Sequence, residues 1–217
     1  MFRLHRLLPL AALAAVLLYA VPSPAQTIID DWASVKAPPA PALKAVTPDP
    51  KTTALLVMDL VKQTCNNERR PRCIASIPKI EKLIAEARAK GVMVIYTTVP
   101  PVPITDTLPA IAPKSDEPVV AAWVDKFILV NKDTGLEKML KDKGITTVIT
   151  VGTATHGAVL YTSSAAALRG FNVIVPVDGM SGDGQNSYIE QYVAYNLTSA
   201  PIVSPKITLT RIDMIKF

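Results

Sequence analysis

Residues 146–170 read TTVITVGTATHGAVLYTSSAAALRG, and their order decides the fold. The run 147–151 is apolar and β-branched, as in strands buried on both faces of a parallel sheet. Residues 152–157 form a short turn bounded by glycines. The alanine-rich run after it closes on Arg169-Gly170, the pattern of a helix packed closely on a sheet. A strand feeding a helix through so short a turn aims the helix's first backbone N–H groups at the strand's carboxyl end. Those amides lack intrahelical partners and can hold an anion or a developing oxyanion. The turn reads as a cradle, yet it offers no evident nucleophile.

Working outward, residues 53–60, TALLVMDL, form a continuous apolar run that ends in one acid. This predicts a central parallel strand with Asp59 at its carboxyl end, where ligands sit in open α/β sheets. An Asp that merely caps the next turn is the alternative. Ser76 is expected to cap a helix with Ile77, Ile80, Ile84 and Ala87 on one face, ending at Gly91. Residues 92–99 and 172–177 read as further strands, and residues 207–215 as the last. Capping boxes are expected at Thr134/Glu137 and Ser187/Glu190. Residues 100–118 are proline-rich and irregular, the composition of a lid or a partner contact. The alternation of strands and helices calls for a mostly parallel sheet with helices on both faces.

The ends of the chain divide differently. Arg3, His5 and Arg6 precede an apolar stretch at 7–20 and then Ser23-Pro24-Ala25. This is the pattern of a secretory leader cleaved after Ala25, with a membrane anchor as the alternative. Residues 26–50 are rich in proline and read as an extended arm without a regular element, with Ile28, Ile29 and Trp32 available for docking and a mobile tail as the alternative. Residues 51–217 form one domain of adequate size for a core. The net charge of +5 over 217 residues falls by the two leader arginines. No basic stripe with interleaved aromatics marks a nucleic-acid footprint, and no later stretch is apolar enough to span a membrane. The expected location is periplasmic or secreted. Cys65 and Cys73 are the two cysteines. In an oxidising compartment they read as one disulfide. Arg69, Arg70 and Arg72 between them leave open a reactive thiol instead.

Taken together, TALLVMDL, AEARAKG, VMVIYTT, TGLEKMLKDKGITTVITVGTAT and AALRGFNVIVPVDGM resemble the isochorismatase-like (cysteine hydrolase) superfamily over residues 53–180. The resemblance implies a three-layer α/β/α sandwich around a mostly parallel sheet of about six strands, in dimers or tetramers. It also implies an Asp, a Lys and a Cys as catalytic residues. The Asp corresponds to Asp59. The Cys belongs in a G-x-x-T-x-x-C-V turn, which here is Gly152 to Val159 with Ala158 in the nucleophile's place. A methyl group cannot attack a carbonyl, so the family's thioester chemistry is unavailable at that position. For the Lys, either Lys126, directly before Phe127, substitutes from a shifted backbone or the residue is missing. A non-proline cis peptide in the G-x-x-T turn is a further family feature, helping to shape an oxyanion hole from backbone N–H groups, and the resemblance implies Ala154, Thr155, His156 and Gly157 as substrate-binding residues.

Three functions follow from this. One is hydrolysis of a small molecule without a covalent step, Asp59 acting as general acid/base with Lys126 setting its charge state. Another is a lapsed enzyme serving as a small-molecule binding or regulatory protein. The last is a replacement nucleophile, with Ser163, Ser164 or Cys65 as candidates. His156 alone cannot build the Asp-plus-two-His metal site of some relatives; it reads as a pocket hydrogen-bonder or a surface residue. No cofactor is implied. Asp178 and Asp183 face the same rim, although Asp-Gly turn formation also explains them.

Overall fold

The computed structural model describes residues 27–184 and 187–217; the leader and its cleavage point lie outside them. The described residues before Pro38 belong to one compact unit and those from Pro38 onward to a second. In the first, Ile28–Asp31 makes one turn of helix (α1), where the sequence reading expects no regular element. It is capped by Thr27, whose amide donates to Asp30 Oδ2 at 2.7 Å.

The second unit is built on the five expected strands and one more, β3 Val119–Ala121, which the sequence reading did not assign. The expected ones are β1 Thr53–Met58, β2 Met93–Thr98, β6 Thr147–Thr153, β7 Asn172–Pro176 and β9 Ile207–Thr210. Together these strands lie in the order β3-β2-β1-β6-β7-β9, with the two-residue β8 (Met180–Ser181) beside the end of β6. Every pairing in this sheet is parallel. The small pair β4 (Ile128–Leu129) and β5 (Lys132–Asp133) forms a separate antiparallel ribbon. The last strand is shorter than the run 207–215 predicts, because a short helical turn begins at Ile212.

The two faces follow the period of a strand. Leu55 and Val57 pack with Ile77, Ile80, Leu83 and Ile84 of α2 (Pro71–Ala89). Ala54, Leu56 and Met58 face the other way. Their layer includes Leu136 and Leu140 of α3 (Leu136–Asp142), Ala165 and Ala166 of α4 (Leu160–Leu168), and Val193 and Leu197 of α5 (Tyr188–Ser199). These are the three layers of an α/β/α sandwich, and the unbroken apolar run of β1 is buried throughout because both faces are covered.

Helix starts depart most from expectation. Helix α2 begins at Pro71, five residues before Ser76, since proline suits the first helical position; Ser76 Oγ instead donates to Cys73 O at 2.7 Å. Neither capping box forms. Gly135 is the N-cap of α3 at φ 81°, and Thr134 Oγ1 accepts from Leu136 N at 3.3 Å while it donates to Lys126 O at 2.7 Å. Ser187 makes no side-chain cap, while Glu190 accepts from Arg72 Nε and from Gly182 N. At Glu190 tertiary partners outcompeted the local one. In the second unit the arm docks through Val46, which bridges to Ile215, and Lys44 N, which donates to Leu209 O at 2.9 Å. Ile28, Ile29 and Trp32, expected to do the docking, are exposed. Among the described residues no helix is long and apolar enough to cross a membrane.

Candidate active site

Three parallel strands end together, and the site is assembled there. Met58 pairs with Thr97 on one side and with Gly152 on the other, so the residue after β1 lies between the ends of β2 and β6. That residue is Asp59. Its φ of 55° is left-handed, a conformation Asp tolerates better than most residues. Its amide donates to Thr97 O at 3.2 Å, and its carbonyl accepts from Thr64 Oγ1. The carboxylate accepts from Thr97 Oγ1 at 2.7 Å and from Lys126 Nζ at 2.7 Å. Gly152 allows the close approach of β6, since a Cβ there would lie 2.0 Å from Met58 O.

Lys126 is wholly buried and Asp59 is 5% exposed. Lys126 comes from the loop after β3, and that loop is fixed from several directions. Its amide donates to Thr162 Oγ1 of α4, and Thr134 Oγ1 holds its carbonyl. Phe127 next to it stacks on Phe171 and lies under Arg169. The ammonium also donates to Ala122 O and Trp123 O, at 2.8 and 2.5 Å. All three of its protons therefore have acceptors, and the Lys126 that sequence left open is present in the pair with Asp59.

Burial moves the two partners toward each other. It raises the Asp59 carboxyl above its ordinary value, against the opposing charge of Lys126 and the bonds from Lys126 and Thr97. It lowers the Lys126 ammonium, against the opposing charge of Asp59. Both shifts favour the uncharged forms, so a proton on the Asp59 carboxyl is more accessible than on a solvated Asp.

The turn after β6 carries the other sequence-predicted residues. The Thr153–Ala154 peptide is cis, as the resemblance implies. The chain kinks at Gly157, whose backbone is not helical, and α4 starts only at Leu160. The amides of Gly157 and Val159 both donate to Ala154 O, so those two are used within the turn. Ala158 is 3% exposed and presents only its methyl group. Thr155 Oγ1 and His156 Nδ1 are buried without a hydrogen-bond partner. Among the candidate replacement nucleophiles, Ser163 Oγ is buried against Thr150 Oγ1 at 2.9 Å, and Cys65 is bonded to Cys73.

Sequence reading did not assign three residues of this region. Thr97 holds the second Asp59 oxygen; the Thr97-Thr98 pair ending an otherwise apolar strand was the available signal. Thr162 ties the Lys126 loop to α4 and stands four residues past Ala158. Arg70, 3% exposed, donates through Nη1 to Thr64 O at 2.6 Å. Its Nε lies 2.6 Å from Asp183 Oδ1, an ion-pair distance, although the N–H does not point squarely at that oxygen. Burial lowers the Arg70 guanidinium, with Asp183 opposing. Burial pushes the Asp183 carboxyl up, but the bond from Arg69 and the charges of Arg70 and Arg69 outweigh it and leave it below the ordinary value. Asp178 turns to another side, accepting from Lys79 Nζ and Ile212 N.

Residues 53–192, about two thirds of the chain, match the Isochorismatase domain family. No curated protein matches the chain. Among solved structures, a cysteine hydrolase from Pseudomonas syringae pv. phaseolicola 1448A is similar at a TM-score of 0.65 and 21% identity, covering 80% of this chain and 94% of its own. An isochorismatase from Pseudomonas putida KT2440 superposes at 0.66 with 17% identity, covering 79% and 93%. N-carbamoylsarcosine amidase from Thermoplasma acidophilum gives 0.59 at 21% identity, covering 75% and 97%. At such identities the structural likeness speaks for the fold, and the family match over residues 53–192 carries the assignment: the chain belongs to the isochorismatase family.

Proposed function

We propose that the chain hydrolyses a small molecule at the carboxyl edge of its sheet, with Asp59 as general acid/base and no covalent thioester. The observation that carries this reading is the buried Asp59–Lys126 pair at 2.7 Å, beside a turn whose nucleophile position is Ala158. In the proposed step a water oxygen bonds to the electrophilic carbon and the bond to the leaving atom breaks. Asp59 gives its proton to the leaving atom and recovers one from the attacking water, so no net proton is consumed. Lys126 stabilises the carboxylate that exists between the two transfers. General acid/base catalysis of this kind contributes about 10²–10⁴-fold.

The test is turnover by the purified protein across vinyl ethers, esters and amides, wild type against Asp59→Asn. A loss of about 100-fold or more, with no sensitivity to iodoacetamide, supports the reading; turnover indifferent to Asp59→Asn refutes it. Ala158 also favours a second reading, a lapsed enzyme that binds a small ligand. That reading requires saturable binding with no turnover in either protein.

The same proposal includes export to the periplasm or beyond, supported by the leader pattern of residues 1–25 and by the Cys65–Cys73 bond. It also includes a homo-oligomer, for which exposed Trp123, Tyr161 and Leu168 offer apolar surface; light scattering of the purified protein measures this directly.

A further inference from the structure

Asp59 marks the carboxyl end of the sheet. The opposite end holds a cleft of about 480 Å³, within the range of about 300–1,000 Å³ that small-molecule sites occupy. Lys51, just before β1, and Lys143, just before β6, line it together with the start of β2. Arg88 from the last turn of α2 and Lys114 from the loop before β3 complete it. The six residues of β1 hold this end about 20 Å from Asp59.

One ion pair builds the cleft's frame. Arg88 Nε and Nη2 donate to the two Glu117 oxygens, each at 2.8 Å. Arg88 Nη2 also donates to Ala112 O at 3.1 Å, and Lys114 N donates to Glu117 Oε2 at 2.8 Å. With that pair matched, the other charges on the lining are Lys51, Lys114 and Lys143 against Asp116. Among the described residues none of these three lysines has an ion-pair partner. Three cations less one carboxylate leave two charges in excess.

Two helix ends temper that excess. Helices α2 and α3 close at Ala89 and Asp142, and a helix C-terminus carries roughly −0.5 charge. Together they leave an excess of about +1. Answering a helix end accounts for Arg88 and Lys143, but Lys51 and Lys114 belong to neither helix. A cleft whose charge is of one sign focuses its field and gathers the opposite ion. Half-buried Pro50, Met93 and Pro118 add apolar wall to the same lining.

We propose that this cleft binds a small organic anion, an apolar body with a carboxylate or phosphate head, at a site separate from the Asp59 edge and independent of the hydrolytic reading. Lys51, Lys114 and Lys143 meet the head, and the apolar wall meets the body.

The full chain is titrated at low salt by isothermal calorimetry with benzoate, phenyl phosphate, benzyl alcohol and inorganic phosphate. Saturable binding of benzoate or phenyl phosphate is expected, with a Kd at least about fivefold below that of benzyl alcohol and of inorganic phosphate. The tighter of the two organic anions identifies the head. Lys114→Ala/Lys143→Ala raises that Kd about fivefold or more, and Lys51→Ala about threefold. Lys132→Ala removes the same charge from an exposed position outside the cleft and stays within about twofold. All four lysines are exposed, so their truncation spares the core, and an unchanged melting temperature verifies this for each variant. Benzyl alcohol binding as tightly as benzoate overturns the role of charge. Inorganic phosphate binding as tightly as phenyl phosphate overturns the role of the apolar wall. Binding indifferent to Lys114→Ala/Lys143→Ala, or no saturable binding, overturns the site itself.

Discussion

Replacing Lys126 by methionine tests the physical core of this site. The side chain keeps its volume but loses the charge that faces Asp59 at 2.7 Å, in a place where Lys126 is wholly buried and Asp59 is 5% exposed. Removing one partner of a buried pair strands the other, at a cost of about 3–5 kcal/mol. That is a large share of a domain stability of about 5–15 kcal/mol. The cost depends on pH, and its sign follows from linkage. Asp59 is already raised by burial with Lys126 opposing, so without Lys126 its folded-state value rises further above the unfolded one. The folded state then binds the proton more tightly than the unfolded chain. Stability is retained below the unfolded carboxyl value and lost as pH rises through the folded one. Urea unfolding of Lys126→Met at pH 5 and pH 8, without reductant, is expected to show the full loss only at pH 8. The double variant Asp59→Asn/Lys126→Met should regain more than half of it, because a buried pair replaced as a unit is often neutral. A loss below about 1 kcal/mol at pH 8, or one unchanged between the two pH values, would refute the reasoning.

Ala158→Cys is expected to take up one equivalent of iodoacetamide by intact mass while the parent takes none, since Cys65 and Cys73 are bonded to each other; an unreactive variant counts against the alignment of the turn. Gly152→Ala should lose about 3 kcal/mol or more in thermal unfolding, because the new Cβ would lie 2.0 Å from the Met58 carbonyl oxygen at φ 139°; an unchanged melting temperature would mean that β6 does not approach β1 this closely. Tyr96 is pushed up to about 12 by burial and donates to Ile111 O at 2.7 Å. Its folded value is raised, so its contribution is lost as pH climbs above the unfolded phenol value near 10. Tyr96→Phe should flatten the alkaline fall of stability between about pH 10 and 12, as read by urea midpoints.

How much was legible in the sequence differs between backbone and site. A continuous apolar run can be buried on both faces only in a covered parallel sheet, so residues 53–58 and 147–151 announced β1 and β6 and set Asp59 at a strand's carboxyl end. The substitution at Ala158 was equally plain, since a missing sulfur needs no coordinates. Local signals failed where tertiary partners competed for the same atoms. Glu190 has the spacing of a capping box, but it holds Arg72 and the Gly182 amide instead.

What the sequence by itself determined is the layer order and the absence of a thiol in the cradle, because both follow from periodicity and residue type. Only the tertiary structure decided that Lys126, 67 positions from Asp59 in the chain, completes the pair. It alone revealed that Thr97 and Arg70 crowd the same edge. Those outcomes depend on how a loop without periodicity is pinned by Thr162, Thr134 and Phe127, and a loop's path is set by the partners it meets rather than by its own residues.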